Sequence, residues 1–214
     1  MNRWLVPALA AFALVLPATS AQEKATKGQS FQSEYLPLKV GNRWIYRAGN
    51  EKVVVEVERQ ETVKRKVKQT NDDFRTEPIE AFRLKITSGD KILHEHVLIA
   101  EDGIYRFSAA GKEIQPPLRI LKLPPSADDS WTVDSVSENV VLKGRFATKG
   151  AKVTTPAFPG GVDSVHSSTD DFQIGTNRMA SNYYFVPKIG IVKQDMKVGK
   201  LDVSMELERF EPAK

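Results

Sequence analysis

The chain reads as an all-β protein, a curved antiparallel sheet or open β-barrel built from two related units. Three observations predict this. Apolar residues recur at a period of two along most of the chain, short glycine-containing turns separate these stretches, and landmarks of the first half return in the second. Few stretches could form a long amphipathic helix.

The first 21 residues have the parts of a secretory signal: Arg3 near the start, an uncharged run from Trp4 to Leu16, and small residues up to Ala21. Cleavage near Ala21 is expected, which makes the protein exported, periplasmic or secreted. A spanning helix needs about 20 apolar residues, and Pro7 and Pro17 interrupt this run, so no transmembrane helix is expected in the mature chain. Residues 22–34 are polar with almost nothing to bury and read as a flexible leader. Residues 35–212 then form a single β domain of a size that sustains a sizeable core. The absence of cysteine excludes disulfides, thiolate metal sites and a cysteine-borne lipid anchor.

A net charge of +4 is mild. Its densest cluster, Lys64, Arg65, Lys66 and Lys68, reads as a solvated strand edge, where lysine deters edge-to-edge pairing. Nucleic acid is not an expected partner, because the export signal and the lack of interleaved aromatics both argue against it.

Individual strands follow. Phe82, Leu84 and Ile86 alternate with Arg83, Lys85 and Thr87, as Val203, Met205 and Leu207 do with Ser204, Glu206 and Glu208. Ser88-Gly89-Asp90 and Glu101-Asp102-Gly103 supply turns between neighbours, which implies an antiparallel meander.

Sliding the chain against itself gives a repeat. Leu36-Pro37, Trp44, Val53-Val54 and Gly103-Ile104 are matched, all at the same shift, by Leu123-Pro124, Trp131, Val140-Val141 and Gly190-Ile191. Arg106 falls against Lys193 at that shift. The pseudo-repeats run about 36–122 and 123–210. Trp44 and Trp131 are thus expected core anchors, and Gly103 and Gly190 structural turn residues. Between the units, residues 114–125 are apolar but proline-rich, which argues against a central strand. They are expected to cross over the sheet end, and Leu118, Ile120 and Leu121 would line an apolar groove if this segment acts as a flap.

The stretch Pro37-Leu38-Lys39-Val40-Gly41-Asn42-Arg43-Trp44-Ile45-Tyr46 resembles the opening of an uncharacterised family of exported bacterial proteins. Val153-Thr154-Thr155-Pro156-Ala157-Phe158 and Tyr183 to Lys193, which contains Gly190-Ile191-Val192-Lys193, are similar to later segments of that family. The chain departs from it at Lys188-Ile189 and after Ala157. The resemblance implies a curved antiparallel sheet, loosely like the half-open barrels of periplasmic lipoprotein carriers, and supplies no catalytic residues.

The concentrated ligand-type side chains are His94-Glu95-His96. Both imidazoles share one face of a strand and could reach a metal ion, with His166, Glu101, Asp170 or Asp171 as further ligands brought in by the fold. Glu95 shares the opposite face with Leu93, Val97 and Ile99, so that face buries a polar group or borders a cavity. Tyr105 and Tyr184 are the aromatic candidates for an exposed binding platform. Hydrolase and phosphate-loop signatures are missing, and no cofactor is indicated. These readings converge on a non-enzymatic envelope protein that binds a lipid or other apolar ligand, or a protein partner, on a curved sheet. The alternatives are a structural or interaction module without a small ligand, and a metal-binding protein using His94 and His96.

Overall fold

A computed structural model describes residues 32–68, 74–199 and 201–214. The expected signal segment and residues 22–31 of the expected leader lie outside the described residues. Among those described there is no helix long and apolar enough to cross a membrane.

Among the described residues, twelve antiparallel strands close into a barrel in simple up-and-down order. They are β1 (Arg43–Ala48), β2 (Glu51–Lys68), β3 (Phe74–Ser88), β4 (Lys91–Ala100), β5 (Gly103–Ala109), β6 (Lys112–Lys122), β7 (Ser130–Ser137), β8 (Val140–Thr155), β9 (Phe158–Ile174), β10 (Asn177–Val186), β11 (Gly190–Val198) and β12 (Leu201–Glu211). The all-β antiparallel expectation holds, and the sheet closes where β1 pairs with β12 from Arg43↔Glu211 to Arg47↔Glu206. Closure removes most sheet edges.

Alternation decides which side chains fill the lumen. Trp44 and Tyr46 of β1, Phe82 and Leu84 of β3, Val97 and Ile99 of β4, Phe146 of β8, Phe185 of β10 and Leu207 of β12 join one core. Leu36 and Leu38, which precede β1, complete it from one end. Asn42 fastens this entry segment. Its amide nitrogen donates to the Pro37 carbonyl at 2.7 Å, and its side-chain oxygen accepts the Ala213 N–H at 2.7 Å.

The segment expected to cross over is β6. Its prolines are tolerated because the edge that faces β7 is ladder-bonded only at Ile114↔Ser137 and Gln115↔Val136. The other edge pairs with β5. Past the prolines, side chains replace the ladder: the Trp131 indole donates to the Arg119 carbonyl at 3.1 Å, and the Ser167 hydroxyl to that of Ile120 at 2.7 Å. Leu118, Ile120 and Leu121 are consequently core residues, 5%, 1% and 0% exposed, rather than the lining of a groove.

Gly103 and Gly190 open β5 and β11. A Cβ on Gly103 would come within 2.8 Å of the Leu121 carbonyl oxygen. Gly190 has a φ of +103°, and a Cβ there would meet the Trp44 indole nitrogen at 3.1 Å. Gly190→Ala is therefore expected to lose about 1–3 kcal/mol through backbone strain, read as a lower denaturant midpoint. An unchanged midpoint would show that this turn relaxes freely.

The long hairpins differ. The β8–β9 tip seals one end of the barrel: Val153 is core, Phe158 and Val162 pack against the core, and the Ala157 N–H donates to the Leu207 carbonyl at 2.9 Å. The β2–β3 hairpin extends beyond its neighbours. β1 pairs with β2 only from Glu51 to Glu56, and β4 with β3 only from Phe82 to Ser88. Residues 61–68 and 74–81 of the two strands pair only with each other. We call this extension the arm.

Candidate functional site

The two faces of β4 divide the residues singled out above. Glu95 faces the lumen, where its Oε2 lies 3.6 Å from the Nε of Arg106. Arg106 also donates from Nη2 to Gln194 Oε1 at 3.4 Å and lies 5.4 Å from the centre of the Tyr183 ring. Burial opposes the guanidinium charge, but Glu95, Tyr183 and Tyr46 outweigh it and hold the Arg106 pKa above its ordinary value. Tyr46 is pushed up by burial, and its hydroxyl donates to the Ile191 carbonyl at 2.7 Å. The polar face read from Glu95 is thus a half-buried ion pair lying against the core. Lys193, matched to Arg106 by the repeat, bonds instead to Glu206 at 3.1 Å on the outer surface.

His94 and His96 occupy the outer face. His94 Nε2 lies 3.8 Å from Glu58 Oε2, which also faces the Nε of Arg83 at 3.0 Å. His96 bridges two elements: its Nε2 is 2.7 Å from Glu61 Oε1 on the arm, and its Nδ1 is 2.8 Å from Ser108 Oγ on β5. With Nε2–H donating to Glu61, Nδ1 accepts the Ser108 hydroxyl; this tautomer follows from the carboxylate's acceptor role. Ser108 Oγ also accepts the His96 backbone N–H at 3.1 Å. The His96 hydrogen bond, and then that of Arg59, hold Glu61 below the usual carboxylate range.

A serine–histidine–glutamate row has the order of a nucleophile, base and acid. Here Ser108 is 4% exposed and its oxygen holds a backbone amide, so the row joins strands rather than presenting a nucleophile. The row also gives the two imidazoles of the metal expectation separate partners, Glu58 for His94 and Glu61 for His96. Among the described residues, no group of three or more histidine, aspartate or glutamate side chains could hold a metal ion. The imidazoles face different carboxylates, and His166 lies on β9, 2.9 Å from Asn182 Oδ1.

Tyr105 packs with Val63 and Ile79 of the arm around a second, small core of Ala81, Leu98 and Phe107. Its hydroxyl donates to Asp102 Oδ2 at 2.7 Å and accepts from Arg119 Nε at 2.7 Å. Burial and then the Asp102 hydrogen bond push its pKa up. Arg65 of the basic cluster is buried enough for its pKa to fall, with Tyr105 opposing that shift, whereas Lys64 is exposed. Tyr184 lies on β10, stacked on His166 with ring centres 4.4 Å apart. The two tyrosines therefore do not form one platform.

His166 carries a pH prediction. Burial lowers its pKa, and the Asn182 hydrogen bond only partly opposes this. The unfolded chain takes up a proton near 6.5 that the folded chain refuses, so stability is full above that pH and falls as the pH drops below it. The urea midpoint is expected to be lower at pH 5.5 than at 7.5, with the difference reduced in His166→Gln. An equal difference in the variant would remove His166 as the cause.

Among the described residues, shallow depressions on the surface include two with charged side chains in their lining. One, about 470 Å³, lies over β10–β12 and includes Lys193, Asp195, Lys197 and Asp202. The other, about 490 Å³, lies beside the β8–β9 tip and includes Arg47, Thr155 and Glu206. Charged linings do not suit an apolar ligand.

No protein-family model matches the chain, and no curated protein matches it. Among solved structures, it is similar to a candidate lipoprotein from Parabacteroides distasonis, at 11% identity over 85% of this chain and 100% of the other, with a TM-score of 0.43. It is also similar to a candidate exported protein with a YmcC-like fold from Bacteroides fragilis, at 12% identity over 84% and 100%, with a TM-score of 0.45.

Proposed function

We propose that the chain is a non-enzymatic, exported protein that docks on a protein partner of the cell envelope through the β2–β3 arm. The observation behind this reading is the arm's excess over what the barrel requires: residues 61–68 and 74–81 pair with each other and extend past the ladders to β1 and β4. The corresponding extension of β8–β9 is used to seal the barrel. The packed lumen favours a partner over the apolar ligand, because Leu118, Ile120 and Leu121 already occupy the space a ligand would need. Lys64 and Pro78 also blunt the arm against simple strand addition, which leaves side-chain recognition as its mode.

The test is photo-crosslinking in native cells from a residue analogue at Lys64, with one at exposed Lys149 as the comparison. Adducts of defined mass from Lys64 alone are expected, and they should vanish when residues 60–80 are replaced by a short turn. Equal adducts from both positions, or adducts that survive the replacement, would contradict the proposal.

A further inference from the structure

We infer that Glu61, His96 and Ser108 form a latch that sets the posture of the arm against the barrel wall, so that the partner-binding surface is regulated by its release. This inference rests on the docking role proposed above.

The arm is joined to the wall by side chains. Past Phe82↔Val97 the β3–β4 ladder stops, so the arm can leave the wall without breaking a ladder bond between them. Its root carries a register shift between Val57 and Arg59, a place where a strand bends. Among the described residues, the contacts that hold it include the apolar cluster around Ala81, Leu98 and Phe107, Arg65 beside Tyr105, and the bond from Glu61 to His96.

A second irregularity builds the latch. The register shift at His96/Val97 places Ser108 opposite His96. Ser108 takes up the His96 amide and fixes the ring through Nδ1, and the edge-on Phe107 ring, 6.4 Å away at 85°, limits its tilt. The ring then aims Nε2 at the arm. Ser108 and His96 are positioning residues in this account, and Glu61 is the arm's point of attachment. Release would uncover Leu98 and Phe107 of the wall, now 4% and 5% exposed, as an apolar strip facing the freed arm.

Acid favours release. The charged groups around the carboxylate are Arg59 on its own strand, Glu58 facing Arg83 and His94, and Glu113 on β6, in register with Ser108. Glu61 accepts from both His96 and Arg59 as an anion, so these bonds are lost as the pH falls through its lowered folded-state value.

Because the chain lacks cysteine, spin labels at Lys64→Cys and Glu101→Cys give a single arm-to-wall distance by pulsed electron resonance. At pH 7.5 the full chain is expected to show one narrow distribution. Glu61→Gln and Ser108→Ala should each add a longer-distance population, with circular dichroism unchanged. Ser108→Ala is the sharper test, since Ser108 acts on the arm only through His96. A narrow, unshifted distribution in both variants would overturn the latch. This readout is independent of the crosslinking: a movable arm without arm-dependent adducts would leave the latch standing and remove the docking role.

Discussion

Trp44→Ala is expected to cost about 3–5 kcal/mol and to lower the melting temperature by roughly 10 °C. The side chain is 2% exposed and stacks on Phe210 with ring centres 5.3 Å apart. Its indole N–H donates to the Ile189 carbonyl at 2.6 Å, beside the Gly190 turn. Truncation opens a cavity where β1, β12 and the entry segment meet and leaves that carbonyl without its donor. Trp131→Ala should cost less, because Trp131 is only partly buried, though it too stacks on an aromatic ring, Phe146 at 5.7 Å. Thermal unfolding of the two variants side by side checks the order, and an equal or larger loss at Trp131 would contradict it.

Arg106→Leu should also be destabilising, for a different reason. It strands the Glu95 carboxylate, whose side chain is 16% exposed, without its cation. Breaking one partner of a fully buried pair costs about 3–5 kcal/mol and this half-buried pair should lose less, whereas replacing both with apolar residues is often neutral or stabilising. The double variant Glu95→Leu, Arg106→Met is therefore expected to regain most of what the single change loses in urea unfolding. A double variant no better than Arg106→Leu would mean that Arg106 acts through Gln194 and Tyr183 instead.

Much of the fold was legible because alternation is a local signal. Phe82 and Leu84 are buried as their spacing required, and Tyr183 and Phe185 point inward while Tyr184 points out. Closure was not legible, since it depends on Arg43 to Arg47 meeting Glu206 to Glu211 from the far end of the chain. Pro116 and Pro117 misdirected the reading of β6, because local chemistry does not reveal that the edge facing β7 is completed by Trp131 and Ser167. At the candidate site, the division of His94 and His96 from Glu95 followed from parity. Their partners did not: Glu61 reaches His96 through the arm, and Ser108 through a register shift. A register shift in β11, where Tyr184↔Lys193 is followed by Phe185↔Ile191, also explains why the match of Arg106 with Lys193 put an inward residue against an outward one.

Native mass spectrometry of the protein isolated from its own cells after mild crosslinking tests the central claim most directly, that the chain acts through the arm and not through its lumen. The account predicts a protein adduct of defined mass that is lost when residues 60–80 are replaced, and a barrel free of bound lipid. A stoichiometric lipid that survives this replacement would contradict it and place the function inside the barrel.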